Sequence, residues 1–117
     1  MFEPIEVTGG VSPVTGLTFN SSINYPSNSL IYKDDTYVYG CVMGAATADI
    51  PINSVIVSGL PKPITGITGI KMPIVITSRE AVMGIAAIDS NGNMIVNVAT
   101  YGATNKWIII NFMYKYA

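Results

Sequence analysis

Few side chains in this 117-residue chain could do chemistry, and histidine is absent. The chain therefore lacks the commonest general base, the base of a serine triad and the usual ligand of most zinc sites. Two carboxylates could hydrolyse sugars if they stood about 5–10 Å apart in a cleft. The only adjacent acidic pair, Asp34-Asp35, lies in a predicted turn, where solvated turn residues explain both. We expect no enzyme activity and no cofactor.

The sequence DSNGN at residues 89–93 is the one segment that is similar to a metal loop. It places oxygen ligands at alternate positions around a glycine, as half of a calcium loop does, but it lacks the distal bidentate glutamate. A hairpin explains the same residues, because Asn91 and Gly92 tolerate the positive φ angles of a type I′ turn. We therefore predict a hairpin that turns at residues 90–93, and no metal site.

The single cysteine and the single tryptophan each have an ordinary structural explanation. Cys41 lies between Gly40 and Val42 in a predicted strand, so we expect a small buried apolar side chain rather than a nucleophile. Trp107 could stack on a sugar ring, but the isoleucines that follow it favour packing in a core or an interface. A lone cysteine forms no internal disulfide, so stability must come from packing or assembly.

The composition is apolar and poor in charge. Half of the residues are hydrophobic and 11% are charged, against roughly 25% charged in soluble domains. The net charge is -1 and the basic residues are scattered, so we expect no nucleic-acid partner. No uninterrupted apolar run is longer than residues 107–110, and the N-terminus does not have the pattern of a signal peptide. We expect one domain, synthesis in a cytoplasm and no membrane insertion.

The spacing of apolar residues predicts strands. Short runs of Ile, Val, Thr and Tyr alternate with turn residues, and 11 glycines and 7 prolines interrupt every window long enough for a helix. We predict an all-β, antiparallel β-sandwich of about nine strands in a single domain, residues 1–117. The predicted strands are residues 2–7, 14–22, 28–33, 36–43, 52–58, 72–77, 82–89, 94–99 and 106–115. A second hairpin turns at Asp34-Asp35, and residues 58–73 form a long connection.

The last predicted strand, KWIIINFMYKYA, has two apolar faces. One face carries Ile108, Ile110, Phe112 and Tyr114, and the other carries Trp107, Ile109, Asn111 and Met113. A small domain has one core, and soluble monomers rarely expose apolar patches beyond a few hundred Å². We therefore predict an obligate, symmetric homo-oligomer that buries the second face. The alternative is a monomeric sandwich whose loops cover that face.

Most of the chain resembles a known family of viral domains. The segments IPINSVIVSGLPKPITGI, MPIVIT, AAIDSNGNMIV and KWIIINFMYKYA together resemble the C-terminal head domains of bacteriophage fibre and receptor-binding proteins. The upstream SNSLIYKDDTYVYGCVMG is similar to the family's strand, turn and strand that lead into the Leu-Pro-Lys-Pro loop. The likeness covers residues 28–116. It implies a jelly-roll-like homotrimer that attaches a virus particle to a bacterial surface, either as part of a longer fibre or as a small stand-alone subunit.

These observations give a leading hypothesis for function and for the site residues. We predict a virion protein, made in the host cytoplasm, that binds a cell-surface glycan or another receptor. If every strand reverses direction, several turns gather at the end away from the N-terminus. The candidate ligand-binding residues there are Asp34, Asp35, Asn91 and Asn93. The candidate trimer-interface residues are Trp107, Ile109, Asn111 and Met113.

Two other functions fit the same sequence. The chain could be a capsid-decorating or fibre-assembly subunit whose main partner is another virion protein. It could also be a carbohydrate-binding module of a bacterial enzyme or adhesin. Host-cell retention and glycan binding distinguish the first hypothesis from the decorating subunit, which would instead co-purify with capsid or tail proteins.

Overall fold

The computed structural model describes residues 10–24, 29–66, 69–76, 81–99 and 102–117, without the side chains of residues 81–83. These residues form ten strands and no helix. The strands are β1 Ser12–Pro13, β2 Thr18–Phe19, β3 Ile23–Asn24, β4 Leu30–Lys33, β5 Tyr37–Ala46, β6 Val55–Ser58, β7 Lys71–Ile76, β8 Ala81–Ile88, β9 Met94–Val98 and β10 Lys106–Lys115. The predicted all-β class is confirmed. The strand predicted at residues 2–7 lies outside the described residues.

All ten strands belong to one antiparallel sheet that curls into a half-barrel. The order across the sheet is β1-β4-β5-β10-β7-β8-β9-β6-β2, and β3 pairs with β5 beside β4. Only residues 14–17 join β1 to β2, which lie at opposite edges of this order. Because a residue spans at most about 3.6 Å, this short connection holds the two edges near each other. In the described residues, one hydrogen-bonded path connects the strands from β1 to β2.

The concave side of the sheet encloses the core. Alternate residues of each strand point inward, so β10 buries Ile108, Ile110, Phe112 and Tyr114. The largest fully buried side chains elsewhere are Val38, Val42, Ile50, Ile56, Val57, Ile74, Ile76, Met94 and Val96. Each fully buried side chain of this size contributes about 1.5–3 kcal/mol of transfer free energy. This burial holds the sheet in its curled form.

The strands β3 and β4 run along the same edge of β5. A Cβ atom on Gly44 would lie 2.3 Å from the Asn24 carbonyl oxygen, so the close approach of β3 requires glycine at that position. Beyond β3, the Ser29 hydroxyl accepts a hydrogen bond of 3.1 Å from the Met43 N–H and continues the bonding along β5. The sequence pattern does not predict β3, because two residues are too few to show the alternation of apolar and polar side chains that marks a strand.

Several predicted boundaries are corrected. The strand predicted at residues 14–22 is divided, because Gly16 has a φ of 75° and residues 14–17 form the connection between the two sheet edges. The strand predicted at residues 36–43 extends to Ala46, where it pairs with Lys106. The prediction for the last strand is confirmed at both ends, residues 106–115.

Candidate interaction surfaces

The convex side of β10 is apolar and open. Trp107 and Met113 are 39% and 66% exposed, Asn111 is exposed, and Ile109 is half-buried. These are the residues that the alternation of the last strand assigns to the face opposite the core, and the structure places all four there. One face of β10 therefore packs in the core, and the other lies on the outside of the subunit.

The neighbouring strands extend this surface. On β5, Ala45, Met43, Cys41 and Tyr39 lie opposite Trp107, Ile109, Asn111 and Met113 in register. On β4, Leu30 lies opposite Cys41, and Tyr32 lies opposite Tyr39. We call this surface the outer apolar face, and its residues are Leu30, Tyr32, Tyr37, Tyr39, Cys41, Met43, Ala45, Trp107, Ile109, Asn111 and Met113. Asn111 is the one residue in it with an amide side chain.

The side chains of the outer apolar face are suited mainly to packing against another apolar surface. Leu30 is 57% exposed and Tyr37 is 40% exposed, so large side chains from both flanking strands remain open. Cys41 is half-buried, rather than buried as expected, and desolvation raises the pKa of its thiol. A raised pKa keeps the thiol protonated at neutral pH and weakens it as a nucleophile. The face can bind an apolar surface, and Cys41 adds no reactive group to it.

The first predicted ligand-binding turn is held by the side chain of Asp34. Its Oδ1 accepts hydrogen bonds from the N–H groups of Tyr37, at 2.6 Å, and Thr36, at 2.7 Å. These two bonds hold the pKa of the Asp34 carboxyl below its usual value. Asp35 is exposed at the tip. The hairpin is as predicted, and Asp34 shapes it while Asp35 remains open to a ligand.

The second predicted turn is held by Asp89. Its Oδ1 accepts hydrogen bonds from the N–H groups of Asn91, at 2.9 Å, and Asn93, at 3.0 Å. Gly92 has a φ of 80°, whereas Asn91 does not have a positive φ, so the predicted type I′ turn is wrong. The Gly92 N–H instead closes a turn onto the Asp89 carbonyl oxygen, and the glycine then takes the left-handed conformation. The hairpin itself is confirmed.

Among the predicted ligand-binding residues of this second turn, only one side chain is open. Asn91 is exposed, while the half-buried Asn93 donates from its Nδ2 to Asp89 Oδ2 at 3.4 Å. Sequence reasoning missed the role of Asp89, although an aspartate side chain commonly accepts a hydrogen bond from the backbone N–H two residues on.

Both turns lie at the same end of the sheet, and the long connection joins them. The Leu60 N–H donates to the Gly92 carbonyl oxygen at 3.1 Å, and the Ile64 N–H donates to the Lys115 carbonyl oxygen at 3.0 Å. The Tyr116 hydroxyl in turn donates to the Asp34 carbonyl oxygen. We call the turns at residues 34–37 and 89–93 and the connection at residues 59–70 the turn end. The predicted grouping is therefore present for these three segments.

A tyrosine of the core ties β10 to the same connection. The Tyr114 hydroxyl donates to the Pro61 carbonyl oxygen at 2.6 Å, and burial raises the pKa of this phenol. The rings of Phe112 and Tyr114 stack with their centroids 6.3 Å apart. The connection is thereby held against the end of β10 rather than extending into solvent.

A cleft between β7 and β10 is the feature that sequence reasoning missed. It measures about 490 Å³, lies beside the turn end, and is lined by residues 69–73 and 111–115. The lysines of this cleft, Lys71 and Lys115, are both exposed. The sequence signal for it is Pro73, which falls both in the strand predicted at residues 72–77 and in the predicted long connection, and which lies inside β7.

The described residues contain neither a group of metal ligands nor a membrane-spanning helix. Within them, no three His, Cys, Asp or Glu side chains are grouped closely enough to hold a metal ion. No helix that could cross a membrane is found in that part of the chain. Comparisons with protein-family models, with curated proteins and with solved structures find no match for this chain.

Proposed function

We propose that this chain is a homotrimeric head domain of a bacteriophage fibre, with a jelly-roll-like subunit, that attaches the virion to a glycan or another receptor on a bacterial surface. It would be made in the host cytoplasm and carried on the virion. The observation that supports the proposal is the outer apolar face, because an obligate oligomer needs such a surface on every subunit. The resemblance of residues 28–116 to fibre head domains is the basis for the proposed attachment function and for a trimer rather than another oligomer.

A second copy of the chain is the occupant that best fits the outer apolar face. The residues named for the face are uncharged, and the one lysine beside them, Lys115 opposite Tyr37, lies at the end of β10, so two copies can approach with its ammonium group at the rim of the contact. Burying about 1,000 Å² of apolar surface gains about 25 kcal/mol at about 25 cal/mol per Å². Association costs an estimated 4–15 kcal/mol, so the gain exceeds the cost. In this arrangement Trp107, Ile109 and Met113 lie between subunits.

The turn end is the part of the head that would contact the receptor. Asp34 and Asp89 fix the backbone of the two turns, so little conformational entropy is lost when a ligand binds. The exposed side chains of Asp35 and Asn91 can then donate or accept hydrogen bonds with sugar hydroxyl groups.

The test measures binding to a panel of bacterial cells and to an array of surface glycans. We expect the wild-type protein to be retained, and the double variant Asp35→Ala/Asn91→Ala to lose retention without a change in oligomeric mass. Asn97→Ala, which removes an exposed polar side chain from β9, is the matched control and should bind as wild type does. A protein silent on both cells and glycans would contradict the attachment function.

The same experiments address the two other functions. Co-purification with capsid or tail proteins in fixed stoichiometry, without cell binding, would support a capsid-decorating subunit. Glycan binding by a stable monomer would support a carbohydrate-binding module.

A further inference from the structure

A second apolar surface lies on the convex side of the sheet, across β7, β8, β9 and β6. Apart from local bulges, alternate residues of these strands are buried in the core, so the residues between them point outward. Ile85 on β8, for example, lies in register between Pro73 on β7 and Val98 on β9. We call this surface the second apolar face, and its residues are Val55, Pro73, Val75, Ile85, Ala87, Ile95 and Val98.

Large parts of the second apolar face are open. Val55 is 40% exposed, Val98 is 42% exposed, and Pro73 is exposed between them and β10. The residues named for the face are uncharged. Lys71 lies at its edge, and Asn97 adds an exposed amide at the bulge of β9. Like the outer apolar face, this surface is suited mainly to packing against another apolar surface.

The two apolar faces are continuous, but they point in different directions. Val75 of the second apolar face lies opposite Ile109 of the outer apolar face, where β7 pairs with β10. The sheet curls away on both sides of this pair, because it forms a half-barrel. A single flat partner cannot cover both faces, so each face needs a partner surface of its own.

A three-fold assembly requires two different contact surfaces on every subunit. A surface that packs on its own copy closes a two-fold dimer. A closed ring instead needs one surface of each subunit to pack on a different surface of the next subunit. The outer apolar face and the second apolar face provide such a pair on one chain.

The two faces also match in size. Neighbouring strands lie about 4.8 Å apart and rise about 3.3 Å per residue, so β4, β5 and β10 present a face of roughly 14 by 33 Å. The four strands of the second apolar face, taken over the six residues of β7, present roughly 19 by 20 Å. Each face can therefore cover most of the other. Neither is large enough to serve two neighbours, since a stable interface takes about 800 Å² from each partner.

We propose that the second apolar face of each subunit packs against the outer apolar face of the next subunit around the three-fold axis. The inference rests on the homotrimer proposed above and names the surface that the outer apolar face contacts. Every subunit then uses both faces once, so the closed ring leaves neither face open to water.

Two variants that each disable one face test the inference. Met113→Lys places a charge in the outer apolar face, and Val98→Lys places one in the second apolar face. We expect each variant alone to lose the trimer, with a dissociation constant raised by about thirtyfold or more, as for an interface residue worth about 2 kcal/mol. Ile52→Lys, outside both faces, is the matched control for Val98→Lys and should remain a trimer.

Mixing the two disabled variants gives the decisive result. The Met113→Lys chain keeps an intact second apolar face, and the Val98→Lys chain keeps an intact outer apolar face. An equal mixture at high micromolar concentration should therefore form a dimer with twice the 12.4 kDa mass of the chain, and no larger species. Multi-angle light scattering measures this mass.

The single cysteine allows a second measurement, which remains valid if Val98→Lys does not fold. Cys41 lies in the outer apolar face, so Val98→Cys adds a thiol to the face that we place against it. Treated with a short bismaleimide, Val98→Cys should give a covalent trimer on a denaturing gel. Ile52→Cys also has two thiols per chain, and it should give no covalent trimer under the same conditions.

The outcomes separate this inference from the attachment function. A Val98→Lys trimer, a mixture that stays monomeric, or equal cross-linking of Val98→Cys and Ile52→Cys would overturn the inference. If wild type is a trimer retained on cells and Val98→Lys is also a trimer, attachment stands and the assigned contact is wrong. If the mixture forms the dimer but no cell or glycan retains wild type, the contact stands and the attachment function is wrong.

Discussion

Ile109 on β10 lies directly opposite Met43 on β5, on the convex side of the sheet and away from the core. Both are half-buried, and Trp107 and Met113 flank them along β10 with larger exposed fractions. The pair therefore stands at the centre of the outer apolar face. Water in contact with this face is unfavourable, and a second copy of the chain would remove that contact.

Met113→Lys should break the oligomer without unfolding the subunit. Met113 is 66% exposed, so the subunit itself tolerates a charge there, while an interface would have to bury an unpaired ammonium group. We expect the dissociation constant to rise by about thirtyfold or more, as for an interface residue worth about 2 kcal/mol. Sedimentation velocity over a dilution series measures it.

Ile52→Lys is the matched control for that variant. Ile52 is 53% exposed and precedes β6, outside the outer apolar face, so the added charge should leave the oligomer intact. If both variants dissociate equally, general charge repulsion explains the loss and the outer apolar face is not the interface.

Asp89→Ala should destabilise the fold by about 1–3 kcal/mol, because the substitution leaves the Asn91 and Asn93 N–H groups without their acceptor. Urea unfolding followed by tryptophan fluorescence measures the change. Ser90→Ala in the same turn is the control and should change the free energy of unfolding by less than about 0.5 kcal/mol. Equal effects of the two substitutions would show that the Asp89 carboxylate does not hold the turn.

Gly92→Ala should cost more than Gly66→Ala, although both glycines have positive φ angles, 80° and 92°. A Cβ atom on Gly92 would lie 2.0 Å from the Leu60 carbonyl oxygen, whereas one on Gly66 meets nothing within 4 Å. Gly66→Ala should therefore cost only the conformational term of about 1–2 kcal/mol. Gly92→Ala adds a steric clash with the Leu60 carbonyl oxygen. If the two variants lose the same free energy of unfolding, the contact between residue 92 and Leu60 is contradicted.

The contact between Asp49 and Thr104 should make the free energy of unfolding sensitive to acid. The Thr104 hydroxyl and N–H donate to Asp49 Oδ1 at 2.9 Å and 3.1 Å, and they lower the pKa of the carboxyl from its ordinary value of 3.8. Because the folded pKa lies below the unfolded one, the stabilisation is present above the unfolded pKa. It is lost as the pH falls through the folded pKa.

The substitutions Asp49→Asn and Thr104→Ala should each reduce this acid sensitivity. We expect each variant to lose less of its free energy of unfolding than wild type does between about pH 5 and pH 2. Denaturant titrations at several pH values measure the profiles. Profiles that run parallel to wild type in both variants would contradict the role of this contact.

Strong alternation and turn residues made part of the fold predictable. The ten residues of β10 alternate without a break, so both of its ends were predicted correctly. The hairpin between β8 and β9 was also predicted, but its turn type was not. The Asp89 carboxylate accepts two backbone hydrogen bonds, and this contact supports a turn in which only Gly92 needs a positive φ.

The single curled sheet and the cleft depend on pairings between distant strands. Pro73 predicts an interruption, because proline removes a ladder donor. The strand predicted at residues 72–77 includes Pro73, but the sequence does not indicate that this strand pairs with β8 on one side and separates from β10 on the other. Only the order of strands places Lys71 beside Lys115, and no local pattern relates two lysines so far apart in the chain.

Multi-angle light scattering of the wild-type protein at low micromolar concentration measures whether the chain forms a trimer. We expect one species with three times the 12.4 kDa mass of the chain. A stable monomer of 12.4 kDa at that concentration would contradict it, because the outer apolar face would then remain open to water.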